Sequence, residues 1–135
     1  MKKPSALLAC LIVLSVAFPV RAGEIAELKK KMIDARQALF ILLDDVKRRG
    51  ADQQQRVKDT ADAVSAMVAS MKAPAGKEAR FKELVTTWKA FKKTREDELV
   101  PLIMSRKQIE AEKIATGVQN ERFKKMMDLC DELEK

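Results

Sequence analysis

From Ile25 onward the apolar positions fall at Ile25, Leu28, Met32, Ala35, Leu39, Leu42 and Val46, in alternating steps of three and four. That spacing predicts an amphipathic helix with a heptad seam. Ile33, Phe40, Ile41 and Leu43 widen the seam late in the helix, which implies cover on more than one side. Gly50 should end it, after Lys47, Arg48 and Arg49 have placed positive charge near the helix C-terminus. Val57, Ala61, Val64, Val68 and Met71 repeat the pattern until Ala73-Pro74-Ala75-Gly76 breaks it, so the two segments read as one αα-hairpin. A third segment, from about Lys77 to about Met104, carries Phe81, Leu84, Trp88 and Phe91 on its inner stripe. Continuing those steps brings Arg95 and Glu98 to positions where the earlier helices are apolar, and Pro101 should kink the helix or end its regular part near Val100. After a loop at Ser105 to Gln108, a fourth segment, about Ile109 to Glu134, turns inward Ala111, Ala115, Val118, Phe123, Met126, Cys130 and Leu133. Its five-residue step from Val118 to Phe123 interrupts the heptad. Four such segments with short connections predict an all-α fold, an up-down-up-down antiparallel four-helix bundle over residues 23–135.

Residues 1–22 stand apart from that pattern. Lys2 and Lys3 give a positive start, Ala6 to Phe18 is almost wholly apolar, and Val20-Arg21-Ala22 places small residues where a signal peptidase reads them before Gly23. The apolar run, closed by Pro19, is short against the ~20 residues that span hydrocarbon. A cleaved secretory signal and a periplasmic location are therefore expected, with membrane attachment only if the segment is retained.

Composition narrows the chemistry. The 135 residues include 27 Lys+Arg, 20 Asp+Glu and no His, for a formal net charge of +7, and the loss of Lys2, Lys3 and Arg21 with the signal lowers it by three. The remaining charges alternate in sign along the helices, which reads as a solvated face and argues against nucleic acid. Without His the commonest general base and metal ligand are missing, and no Gly-rich phosphate loop, Cys-x-x-Cys pair or Ser-centred elbow stands in the chain. A non-enzymatic protein with no metal and no cofactor is expected. Cys10 leaves with the signal, so Cys130 is the only cysteine of the exported chain; it is read as a small buried apolar group, or as a thiol that could link two chains.

The candidate ligand-binding residues are Arg95, Glu98 and Trp88. Two ionisable groups on a seam need partners or a ligand. Pairing the third and fourth helices about Arg106 would bring Arg95 near Gly117 and Val118, within reach of Glu121, and Glu98 near Lys113, as ordinary inter-helix ion pairs. The alternative is a cleft in which Arg95 meets an anion. Gly117 would serve close helix packing, or let Arg95 or a ligand approach the backbone. Trp88 and Phe91 at helical spacing suit a core or a ligand box, and the methionines suit core filling or an adaptable client-binding surface.

From Phe81 onward the chain resembles the second half of the four-helix-bundle sensor domain of bacterial methyl-accepting chemotaxis receptors. The residues that carry the likeness are Phe81, Trp88, Phe91 and Glu98-Leu99-Val100-Pro101-Leu102, then Glu110-Ala111, Ala115-Thr116-Gly117 and Arg122-Phe123. The resemblance implies an extracytoplasmic ligand-sensing bundle, and with no second apolar span before Lys135 a sensor role would need a partner. The expected function is that of a periplasmic bundle binding a small anionic ligand or a partner protein, as a monomer or homodimer. The alternative is a periplasmic chaperone or stress protein that binds unfolded clients.

Overall fold

A computed structural model describes residues 22–135. The expected signal, up to Arg21, lies outside the described residues. Within them the fold is all-helical, with no strand, and consists of four helical segments. These are α1 (Ala22–Asp44), α2 (Ala51–Ser70), a third segment made of α3 (Glu78–Thr94), a π-helical turn (Arg95–Leu99) and α4 (Val100–Met104), and a fourth made of α5 (Gln108–Thr116) and α6 (Val118–Glu134).

The first seam is buried as its spacing requires from Ile25 to Leu42, but Val46 is 58% exposed. The reason lies in the helix end. α1 stops at Asp44, and Asp45 caps a short 3-10 turn (Val46–Arg48) by accepting from the Lys47 amide, which turns Val46 outward. Gly50 does not end α1 but precedes the first residue of α2. The terminal carbonyls of α1 are met by Arg49, whose guanidinium donates to Leu42 O (2.9 Å), Leu43 O (2.8 Å) and Ile103 O (3.0 Å). One side chain thus meets two orphan acceptors of α1, sharing Leu43 O with Gln108 Nε2, and ties them to α4. The extra apolar residues of α1 are covered unevenly: Leu43 is buried, Phe40 and Ile41 are half-buried and Ile33 is exposed.

The third segment passes through Pro101 without stopping. Pro101 has no amide to give the carbonyl four residues back and its ring crowds that carbonyl. The chain accommodates this by widening one turn, so that the Val100 amide bonds Arg95 O five residues earlier. Beyond Phe91 the inner positions are Arg95, Leu99 and Ile103. Glu98, expected on the seam, is exposed and has no ion pair with Lys113.

A second interruption divides α5 from α6 at Gly117, which has ψ −111°. A Cβ there would stand 2.7 Å from Lys113 O, the acceptor of the Gly117 amide in the preceding turn. The turn itself therefore calls for glycine, and no atom of Arg95 or of a neighbouring helix lies within 4 Å of that Cβ position. The break also corrects the inward positions of this segment: Val118 is 41% exposed, and Gln119 is buried in its place. The inner steps become Ala115, Gln119, Phe123, with the Gln119 amide donating to Phe91 O at 2.9 Å.

α2 packs along α1, α3 packs along α6, and α1 meets α6; α2 and α3 approach each other loosely. The apolar core is in two parts along the length of the bundle, each drawing on all four segments. One part contains Ile25 to Ala35 of α1, Val64, Trp88, Phe91 and Met126, and the other Ala38 to Leu43, Val57, Leu99, Ile103 and Ala111. Arg95 lies where the two parts meet.

Candidate functional site

The loose α2–α3 seam is held by polar bolts spaced along it. Trp88 Nε1 donates to Ser65 Oγ at 3.0 Å, and the indole is only 2% exposed. One turn further, Lys92 Nζ pairs with Asp62 of α2 at 3.1 Å and with Glu96 of its own segment at 3.4 Å. Partial burial pulls the Lys92 pKa down, but the hydrogen bond to Asp62 and the Glu96 charge outweigh it, and the net shift is upward. Arg95 follows. It is 1% exposed, and its guanidinium donates to Ala35 O of α1 at 2.9 Å and to Val57 O of α2.

Neither acceptor depends on Arg95. Ala35 and Val57 are inside regular helix, where the amide four residues on already donates to each carbonyl, and Val57 O also receives the Thr60 hydroxyl at 3.2 Å. Among the described residues no carboxylate forms an ion pair with Arg95, and the expected partner Glu121 forms none either. Asp62 and Glu96 are close enough to favour its charge, but desolvation dominates and lowers its pKa to about 10. A buried cation bonded only to neutral carbonyls is a cost to the fold unless a counter-charge joins it.

Beside this group the seam opens into a cleft of about 650 Å³. α2 contributes Ala51, Gln54, Gln55, Val57, Lys58 and Asp62, and the third segment Lys92, Arg95, Glu96 and Val100. The volume is in the range of small-molecule pockets, and the walls combine apolar surface with a few charged groups. The regular steps of α3 bring Arg95 to the inner face, and the widened turn that starts there keeps Leu99 inside and places Val100 at the cleft wall.

Of the three residues expected from the sequence to bind ligand, the structure places only Arg95 in this cleft. Trp88 is core, stacked on Phe91 with ring centroids 5.7 Å apart, and Glu98 borders a separate shallow hollow with Asp97, Pro101 and Lys107. Sequence reasoning missed Lys58, Asp62, Lys92 and Glu96. Their signal was present as a spacing of four on each of two helices, Lys58 with Asp62 and Lys92 with Glu96, on the edges of the seams rather than in them.

A second hollow, of about 430 Å³, lies between α1 and α6 and is lined by Ile33, Arg36, Gln37, Phe40 and Phe123. Arg36 sits over both rings, 4.9 Å from the Phe40 centroid and 4.5 Å from that of Phe123, and donates to Asn120 Oδ1 at 3.1 Å. Its charge is thus already engaged by aromatic faces and an amide. No group of three or more potential metal ligands occurs among the described residues, and none of their helices is long and apolar enough to cross a membrane. No family model, curated protein or solved structure matches the chain.

Proposed function

We propose that the protein is a periplasmic, non-enzymatic binding bundle that takes a small anionic ligand in the α2–α3 cleft, in the manner of a chemoreceptor sensor domain. One observation carries this reading: a buried guanidinium, held by carbonyls that do not need it and neutralised by no carboxylate ion pair, borders a cleft of about 650 Å³. An anion entering there would supply the direct ion pair that Asp62 and Glu96, both bridged to Lys92, do not give Arg95.

An up-down-up-down course of the four segments belongs to the same proposal. It is supported by cross-links that run in opposite sequence directions on paired helices, such as Lys29 to Asp131 with Arg36 to Asn120, and Ser65 to Trp88 with Asp62 to Lys92. The resemblance of the second half to chemoreceptor sensor domains supports the sensing role, and the N-terminal residues support export. Coupling to any signalling output then rests with a partner protein.

Client binding is favoured by a different feature, the partly uncovered strip of Ile33, Phe40 and Ile41 on α1. Most of the methionines weigh against it, because Met32 and Met126 are fully buried and Met67, Met71 and Met127 pack on the core, with Met104 alone of the described methionines exposed. A melting-temperature screen separates the two. Small anions should give a saturable rise that neutral and cationic compounds do not. Suppression of client aggregation with no response to any small molecule would replace the binding role with the chaperone one.

A further inference from the structure

Resting on the reading of the α2–α3 cleft as a ligand site, we infer that its ligand is a monocarboxylate with an apolar body, its head directed to Arg95 and Lys58 and its body to Val57 and Val100.

The head group follows from the charges on the cleft wall. Lys58, Lys92 and Arg95 face Asp62 and Glu96, so the lining has a surplus of one positive charge. The three positive groups are not equally available. Lys92 is closed in a bridge to both acids, whereas Lys58 forms no ion pair among the described residues and Arg95 bonds carbonyls alone. A ligand with one negative charge completes this balance. A dianion such as succinate or inorganic phosphate would have to bring its second charge against Asp62 and Glu96, where like-charge proximity is unfavourable. A cation finds its two acids already occupied by Lys92.

The body follows from the remaining walls. Val57 and Val100 present apolar surface, and the stems of Gln54 and Lys58 can lie along a hydrocarbon or ring. An ion small enough to be fully hydrated would leave most of about 650 Å³ to water and gain little from those walls. Binding would also be felt beyond the cleft, because Arg95 joins α1 and α2 to the widened turn and Trp88 closes the same seam one turn below Lys92.

The test is an amide chemical-shift titration of the purified protein with four probes: 4-phenylbutyrate, its neutral amide, succinate and inorganic phosphate. Saturable shifts clustered in residues 51–62 and 92–100 with 4-phenylbutyrate, and at least about tenfold weaker binding of the amide and the two multivalent anions, are expected. Lys58→Gln, a change at an exposed side chain, should weaken 4-phenylbutyrate several-fold while leaving the spectrum of the free protein otherwise intact. Arg95→Met should abolish the response; if that variant does not fold, Lys58→Gln decides alone. Equal binding of acid and amide in the cleft, or no weakening in Lys58→Gln, would overturn the assignment of the carboxylate head. Tighter cleft binding of succinate or phosphate would overturn the monocarboxylate class and leave the cleft as an anion site. Shifts confined to the hollow at Phe40 and Phe123, or none with any probe, would remove the cleft reading itself.

Discussion

Arg106 has φ 59°, the left-handed region that costs an L-residue about 1–2 kcal/mol. It occupies that conformation because the turn after α4 returns the Lys107 amide to Leu102 O and the Arg106 amide to Ile103 O, closing the helix end. Arg106→Gly should therefore raise stability by about 0.5–1 kcal/mol in denaturant unfolding, the gain being reduced by the freedom glycine has when unfolded. Cys130 is buried, and burial pushes its thiol up to about 12 from the ordinary 9. Between those values the folded chain keeps a proton that the unfolded chain has lost, so this contribution to stability is complete below pH 9 and falls as pH rises toward 12. Its limiting slope is about 1.4 kcal/mol per pH unit. Unfolding free energies from pH 8 to pH 10.5 should decline more steeply in the parent than in Cys130→Ala, and the native thiol should resist aromatic disulfide reagents that label it at once in denaturant. Equal slopes would show the thiol to be solvated.

At the scale of the elements, two side chains without a place in the heptad decide how helices end. Arg49 closes α1 and reaches α4, so Arg49→Ala should cost about 1–3 kcal/mol by leaving Leu42 O without its donor and breaking the tie to α4, while Leu43 O keeps Gln108 and Ile103 O keeps the Arg106 amide. Gly117→Ala should cost a similar about 1–3 kcal/mol, since the added methyl meets Lys113 O and the backbone must shift. A neutral Gly117→Ala in thermal unfolding would contradict the steric account of the break. These same places mark the limit of what the pattern of residues conveys. Spacing alone located all four segments, the inner stripe of Phe81, Leu84, Trp88 and Phe91, and the burial of Arg95, because burial of one helix face follows directly from period. It misplaced Val46, Glu98 and Val118, each of which lies within or just past a change of helical geometry: the 3-10 turn, the widened turn before Pro101 and the break at Gly117. Pro101 and the five-residue step signalled that the register would change. They did not carry its size, which is set by carbonyls and amides that every residue type shares. The cleft was legible only as one polar residue on a seam, since its other charged walls come from helix edges whose facing depends on how loosely α2 and α3 approach.

Across the whole molecule, the core is divided into two apolar clusters with Arg95 between them, and polar bolts supplement the apolar contacts that join α2 to the third segment. An apolar residue at position 95 would join the clusters, and neither Ala35 O nor Val57 O would be orphaned. On the proposed reading the guanidinium is held against stability, and a bound anion would offset its cost. The melting temperature of Arg95→Met, compared with the parent in a buffer free of carboxylates and phosphate, tests this most directly. The variant should melt higher, by a shift equivalent to at least about 1 kcal/mol, and should no longer be stabilised by anions that raise the parent. A variant that melts several degrees lower would show that Arg95 is a structural bolt whose carbonyl bonds repay its burial, and would contradict the account of the cleft as a site waiting for a negative charge.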